Sequence, residues 1–131
     1  MTTLTLLAIC LMLECGGEPI AGKRGVASVI WARADGKAAN VERVLLKRKQ
    51  FSCLNRGLKY ATAKAERMKA TPSGAAAWLE CVLLAEKMLS GQFQPTISAN
   101  HYYNPSLCSP SWGKALRGKV VLGAHVFGSL K

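Results

Sequence analysis

An apolar run near the amino terminus, Leu4 to Leu13, limits the possible folds of this chain more than any other segment. The run is too short to cross a bilayer, which requires about 20 apolar residues. No basic residue precedes it, and Glu14 closes it without a small-x-small cleavage site, so it does not match a secretory signal peptide. We therefore expect a buried helix that is capped near Thr2 or Thr3 and ends at Cys15-Gly16-Gly17.

The length and composition favour one folded domain. The chain has 131 residues, of which 50% are hydrophobic and 19% are charged, unlike a disordered tail or a collagen. A domain of this size buries about two-thirds of the surface of its unfolded chain, enough for one core. We expect a single domain over residues 1-131.

The charge is concentrated in the middle of the chain. Lys and Arg number 18 and Asp and Glu number 7, a net charge of +11. Residues 23-69 hold 13 basic and 3 acidic residues, a net charge of +10. This segment predicts an anionic partner, which composition does not identify: nucleic acid, lipid head groups or an acidic wall polymer. A basic surface that only keeps the protein soluble is the alternative.

Apolar periodicity and capping signals predict four more helices. The first runs from Gly22 to Arg33, the second is capped by Asn40 and ends in Lys47-Arg48-Lys49, and the third runs from Lys59 to Ala70. The last begins at Thr71-Pro72-Ser73, and its predicted buried face comprises Ala75, Trp78, Leu79, Val82, Ala85 and Leu89.

The carboxyl-terminal part of the chain predicts strands. Thr96 to Tyr103 and Lys119 to Phe127 are candidate strands that a long loop connects. Helices followed by a small β region are typical of an α+β domain. The fold class we predict is α+β, predominantly helical, with a small C-terminal β hairpin or sheet.

The cysteines and histidines predict neither a disulfide framework nor a metal site. The 5 cysteines are irregularly spaced and contain no CxxC pair. We expect free thiols, with Cys10 and Cys81 in the core. His101 and His125 have no metal-like spacing to the cysteines, so we expect no cofactor.

Glu14 is a candidate catalytic residue because a carboxyl stands at the end of an apolar helix. Apolar surroundings and the partial negative charge of a helix C-terminus both favour its protonated form and raise its pKa. A carboxyl that keeps its proton near neutral pH can act as a general acid. The alternative is an ordinary glutamate that points into water. Glu18 is expected to cap the helix that begins near Gly22, and Asp35 to lie in an ordinary turn.

Three further clusters are candidates for a site, and the first two each permit two interpretations. Asn100 to Pro105 suits a sugar or single-stranded nucleic acid, because aromatic rings alternate with polar groups, but a strand with core-facing tyrosines has the same pattern. His125 in Gly123 to Phe127 is either a ligand-binding group or a core histidine. Gln50 to Cys53 is a short polar loop.

Taken in order, these motifs resemble the SleB/CwlJ-type cell-wall hydrolase family. The resemblance covers nearly the whole chain and rests on five elements: Glu14-Cys15-Gly16-Gly17-Glu18-Pro19, the helix Gly22 to Arg33, Gln50-Phe51-Ser52, His101-Tyr102-Tyr103-Asn104-Pro105, and Gly123-Ala124-His125-Val126-Phe127. It implies a compact lysozyme-like domain that cleaves peptidoglycan between N-acetylmuramic acid and N-acetylglucosamine.

The resemblance also implies roles for individual residues. Glu14 matches the catalytic acid, and Glu18 is a possible second carboxylate or an orienting group. The substrate-binding residues that it implies are Gln50, Ser52, His101, Tyr102, Asn104 and His125. Few other carboxylates are available, so a lytic transglycosylase, which needs one, is favoured over a hydrolytic muramidase, which needs two.

With no export signal and no wall-binding domain evident, we expect a phage endolysin-like member of the family, a monomer that stays in the host cytoplasm until a holin releases it. Its partners would be peptidoglycan glycan strands and an anionic envelope surface, the latter through residues 23-69. An N-acetylmuramoyl-L-alanine amidase is an alternative, although zinc would require His101, His125 and a third ligand. A small basic nucleic-acid-binding protein is the non-enzymatic alternative, and no recognised nucleic-acid-binding motif supports it.

Overall fold

A computed structural model describes residues 1–47 and 54–131, and the apolar run forms its first helix, α1 (Thr3–Cys15). The Thr5 amide donates a hydrogen bond of 3.1 Å to the Thr2 hydroxyl, which caps the helix. α1 carries apolar side chains on all of its sides, so each side must be covered by another element of the fold. Four other α-helices of the described residues supply this cover. The prediction of a buried helix ending at Cys15 is confirmed.

The four covering helices are α2 (Ile20–Arg33), α3 (Val41–Leu46), α4 (Leu58–Lys69) and α5 (Pro72–Leu89). α2 begins before the predicted Gly22, because Pro19 already has the extended N-cap conformation. α3 ends at Leu46, so Lys47 does not belong to its last turn as predicted. Across residues 1–47 and 54–131, no helix has both the length and the apolar character needed to span a membrane.

The predicted buried face of α5 is wrong in part. Leu79 is 59% exposed, whereas Ala77, Cys81 and Ala85 are buried against the core. The helix carries apolar residues on two sides, so periodicity alone does not distinguish the inner side. Small residues at every fourth position let α1 approach α5 closely, and this close packing selects the inner face.

The C-terminal sheet has three antiparallel strands, β1 (His101–Tyr103), β2 (Arg117–Leu122) and β3 (His125–Ser129), in the order β1-β3-β2. The predicted strand Thr96 to Tyr103 forms a strand only at its end. The prediction of one strand over Lys119 to Phe127 is wrong, because the chain turns back at Gly123, whose φ is 59°. The predicted fold class, a mainly helical α+β domain with a small C-terminal sheet, is confirmed.

Phe127 joins the sheet to the helices. Its side chain is fully buried, and Gly25 of α2 lies directly against it. A Cβ atom at Gly25 would lie 2.7 Å from Phe127 Cζ, closer than packed atoms tolerate. On the sheet, Phe127 pairs with Tyr102 of β1, so this seam fixes where Tyr102 lies relative to the helices.

Cys10 and Cys81 are both fully buried in the core, which confirms their predicted place. Burial raises the pKa of the Cys81 thiol to about 11, so the thiol stays protonated and unreactive at neutral pH. Cys53 lies outside the described residues.

Candidate active site

Glu14 lies in the last turn of α1, half-buried, on the wall of a cleft of about 1110 Å³. Burial raises the pKa of its carboxyl, as the sequence predicted. A hydrogen bond from Tyr102 and the positive charges of Arg33 and Lys64 act in the opposite direction and lower that pKa. Burial is the largest of these effects, so the carboxyl holds its proton to a higher pH than an ordinary glutamate.

Tyr102 connects the sheet to Glu14. Its hydroxyl donates a hydrogen bond of 3.2 Å to Glu14 Oε1. Its ring packs on Phe127 with centroids 5.6 Å apart, and it meets the His125 ring edge to face at 5.3 Å. These contacts hold the hydroxyl at the end of α1.

Glu18 does not cap α2 as the sequence predicted. Pro19 occupies the N-cap position, and none of the side chains that the structure describes caps the helix. The Glu18 carboxylate instead reaches the turn between β2 and β3, where the Ala124 amide donates a hydrogen bond of 2.6 Å to Oε1. His125 Nδ1 lies 3.2 Å from the same oxygen. Tertiary structure therefore brings a partner that local capping rules do not anticipate.

Gly123 makes the contact between Glu18 and the turn possible. A Cβ atom at this position would lie 2.5 Å from Glu18 Oε1, and the positive φ of 59° also disfavours a side chain. His125, 7% exposed, then stands between Glu18 and Tyr102. The two glutamates of the signature are linked through His125 and Tyr102.

Arg33, at the end of α2, is a cleft residue that the sequence analysis missed. Its Nε donates a hydrogen bond of 2.9 Å to the Asn100 carbonyl. Burial lowers the pKa of its guanidinium, while Tyr102 and Glu14 raise it. An arginine remains cationic in proteins, so it favours the ionised form of Glu14 once the proton has left. In the sequence it is an ordinary basic residue at a helix C-terminus, which carries no signal of a site.

Trp112 is a second cleft residue that the sequence analysis missed. It meets His101 edge to face at 5.1 Å and Tyr103 at 5.6 Å, and all three line the cleft. His101 Nδ1 lies 2.8 Å from Asn100 Oδ1, and burial together with the charge of Arg33 lowers the pKa of the imidazole. The aromatic cluster offers apolar faces and polar edges of the kind that sugar rings require.

The other predicted site residues have different placements. Asn104 and His125 both line the cleft. Asn104 Oδ1 also accepts a hydrogen bond of 2.9 Å from the Ser106 amide, so it shapes the turn after β1. Gln50 and Ser52 lie outside the described residues.

Of the residues that the structure describes, three with carboxylates line the cleft: Glu14, Glu18 and Asp35. One oxygen of Glu18 is engaged by the turn between β2 and β3, and Asp35 follows α2 with a φ of 56°. Within residues 1–47 and 54–131, no group of three His, Cys, Asp or Glu side chains is arranged to hold a metal ion.

Residues 17–128 of the chain match a family model described as Cell Wall Hydrolase. No curated protein sequence matches the chain. The matched region includes Glu18, Tyr102 and His125 and begins just after Glu14.

Two solved structures share the fold. The catalytic domain of the germination-specific lytic transglycosylase SleB from Bacillus anthracis has 23% sequence identity and a TM-score of 0.58, covering 96% of this chain and 93% of that domain. The catalytic domain of the Bacillus cereus SleB protein has 24% identity and a TM-score of 0.59, covering 96% and 88% respectively.

Proposed function

Because the chain belongs to the cell wall hydrolase family, we propose that it cleaves the glycan strand of peptidoglycan with Glu14 as its single general acid and base. Membership of the family makes the chain a peptidoglycan-degrading enzyme, and it confirms the resemblance found in the sequence. The observation that carries the proposal is the half-buried Glu14 carboxyl, which faces the cleft and has a raised pKa.

In the first step, the protonated Glu14 gives its proton to the glycosidic oxygen between N-acetylmuramic acid and N-acetylglucosamine. The bond from that oxygen to C1 of the muramic residue breaks, and positive charge develops at C1 and the ring oxygen. Loss of the proton converts Glu14 to a carboxylate. The Tyr102 hydroxyl and the positive charge of Arg33 stabilise this carboxylate.

In the second step, the Glu14 carboxylate takes the proton of the muramic C6 hydroxyl while that oxygen attacks C1. A 1,6-anhydro ring forms, and Glu14 returns to its protonated state. No water is consumed, and one carboxyl group serves as acid and then as base. A mechanism with a single carboxyl group suits this cleft, because the Glu18 carboxylate is held by Ala124 and His125.

A hydrolytic muramidase is the second candidate, and Asp35 on the cleft wall favours it. A hydrolase of this kind needs a second carboxylate, about 5–5.5 Å away as a nucleophile or about 6.5–9.5 Å away as a base for water. The transglycosylase is preferred because one of the structures with the same fold is that of a lytic transglycosylase. An amidase would need metal ligands or another nucleophile in this cleft.

The product distinguishes these reactions. Digestion of purified peptidoglycan is expected to yield 1,6-anhydro-muramic ends, lighter by one water molecule than reducing ends. Mass spectrometry of the digest, before and after borohydride reduction, measures both. Reducing muramic ends alone would assign the hydrolytic reaction and a second carboxylate, with Asp35→Asn then tested. Newly released stem peptides with intact glycan would assign an amidase.

The basic segment 23-69 is proposed to draw the enzyme to the anionic envelope. Its charge is not all at the surface, because Lys23 is 3% exposed and pairs with Glu80 at 3.0 Å. Lys59 and Arg67 are exposed on α4.

Added salt is therefore expected to weaken lysis of whole walls, because the Debye length falls from about 10 Å at 0.1 M to about 3 Å at 1 M. Replacing Lys59 and Arg67 by Gln should raise the apparent KM on walls more than it lowers kcat. A charge-matched double variant, Lys87→Gln with Lys131→Gln, is the control. If lysis does not depend on salt, the basic segment only keeps the protein soluble and does not bind the envelope.

We also propose that residues 1-131 form one catalytic domain, because α1 contacts each of the other described α-helices, and that this domain acts as a monomer. The endolysin role predicted from the sequence is part of the same proposal. Expression in a bacterial cytoplasm should leave cells intact, and co-expression of a holin should lyse them. Lysis by Glu14→Gln under the same conditions would contradict this role.

A further inference from the structure

A smaller pocket of about 310 Å³ adjoins the cleft and takes no part in the mechanism above. Lys114 and Lys119 line it together with the hydroxyl-bearing residues Ser109, Ser111 and Tyr103. Among residues 1–47 and 54–131, no acidic residue lines it, so its polar side chains are cationic or able to donate hydrogen bonds.

Both lysines have their charge available for a ligand. They are exposed, and among residues 1–47 and 54–131 neither has a carboxylate partner within 4.0 Å. Lys119 lies at an irregularity of β2, where the pairing with β3 shifts between Arg117 and Val120 and Gly118 has a φ of 62°. A bulge of this kind turns a side chain away from the regular pleat.

The pocket is separated from the cleft by a shared wall. Tyr103 and Pro110 line both cavities, and Trp112, which packs on Tyr103, lines the cleft beside them. The pocket is therefore directly adjacent to the part of the cleft that Tyr103 and Pro110 line.

We propose that this pocket binds a carboxylate of the stem peptide that peptidoglycan carries on its muramic residues. This inference rests on the proposed function, because it assumes a glycan strand in the cleft. Stem peptides are acidic, and two ammonium groups with neighbouring hydroxyls are suited to a carboxylate through charge-assisted hydrogen bonds. The pocket then makes the enzyme prefer glycan that still carries its peptides.

The test compares glycan strands with and without their peptides, the latter prepared with an amidase. Wild-type kcat/KM is expected to be about tenfold higher on the peptide-bearing strands, the effect of one charged hydrogen bond. In the double variant Lys114→Gln with Lys119→Gln, this ratio should fall close to one. The charge-matched variant Lys87→Gln with Lys131→Gln should keep the wild-type ratio.

A binding measurement separates this inference from the proposed function. A free stem tripeptide with its carboxylates should shift the NMR signals of Lys114, Lys119 and Ser111, and the same tripeptide with its carboxylates amidated should not. Binding of the tripeptide by an enzyme that cleaves no glycan would overturn the proposed function and leave the pocket assigned. Equal shifts with both tripeptides, or stronger shifts with inorganic phosphate, would overturn the pocket assignment, as would a wild-type ratio near one.

Discussion

Glu14→Gln is expected to lower the rate of peptidoglycan cleavage by about 10²–10⁴-fold, the usual contribution of general acid catalysis. Glutamine has nearly the shape of a protonated glutamate, and it can still accept the hydrogen bond from Tyr102. The substitution therefore removes the transferable proton and little else. Release of muropeptides from purified walls, followed by chromatography, measures the loss.

The same substitution should not destabilise the fold. Burial raises the pKa of Glu14 in the folded protein, so the folded state binds this proton more tightly than the unfolded state. The carboxyl therefore contributes stability below its unfolded pKa, and that contribution is lost as pH rises through the folded pKa. We expect Glu14→Gln to melt at the wild-type temperature or slightly above it at neutral pH. The activity of the wild type should likewise fall as pH rises through the pKa of Glu14.

Glu18→Gln is the matched control, since it changes the other glutamate of the motif in the same way. It weakens the hydrogen bond from Ala124 and the contact with His125, so it should cost about 1–3 kcal/mol of folding free energy and part of the activity. An inactive but folded Glu18→Gln with an active Glu14→Gln would give the catalytic role to Glu18, which lies within the family match at residues 17–128. Full activity in both variants would refute the mechanism.

The sequence was sufficient to predict α1 and the environment of Glu14, because both depend on local features. The apolar run Leu4 to Leu13 is too short to span a bilayer, so we expect it to be buried in the core. The first charged residue after the run, Glu14, is then expected to lie at the edge of that core. The raised pKa of Glu14 follows from that position. The predominantly helical fold follows from the same periodicity and capping rules.

The partners of Glu14 and Glu18 depend on contacts between distant segments, and here local rules failed. Nothing near Glu18 in the sequence indicates that its carboxylate binds the Ala124 amide, 106 residues further along the chain. The role of Arg33 in the cleft cannot be predicted from its local sequence either, because it depends on contacts with the segment that leads into β1. The turn at Gly123 was missed because apolar residues on both sides of it resemble one continuous strand.

Phe127→Ala is expected to lower the free energy of unfolding by about 3–5 kcal/mol, a large part of the 5–15 kcal/mol typical of a domain. The Phe127 side chain is fully buried at the seam between sheet and helices, where it packs against Gly25, which has no side chain of its own to occupy the space that the ring would leave. Urea denaturation followed by circular dichroism measures the change. The Tyr102 ring, 5.6 Å from Phe127, also loses its support, so cleavage should weaken even where the variant remains folded.

The effect on activity distinguishes a seam that orients the site from one that only stabilises the fold. Phe127→Leu retains most of the buried volume but not the aromatic ring beside Tyr102, so it should keep most of the stability and still lower kcat. Val121→Ala is the control on the same sheet: Val121 is 68% exposed, and its truncation should change stability by no more than about 0.5 kcal/mol. If Phe127→Leu keeps the wild-type kcat, the hydrogen bond from Tyr102 to Glu14 does not depend on the aromatic contact, and Phe127 only stabilises the fold. A reduced kcat with an unchanged melting temperature would instead mean that the sheet is part of the machinery that holds Glu14 in its reactive position.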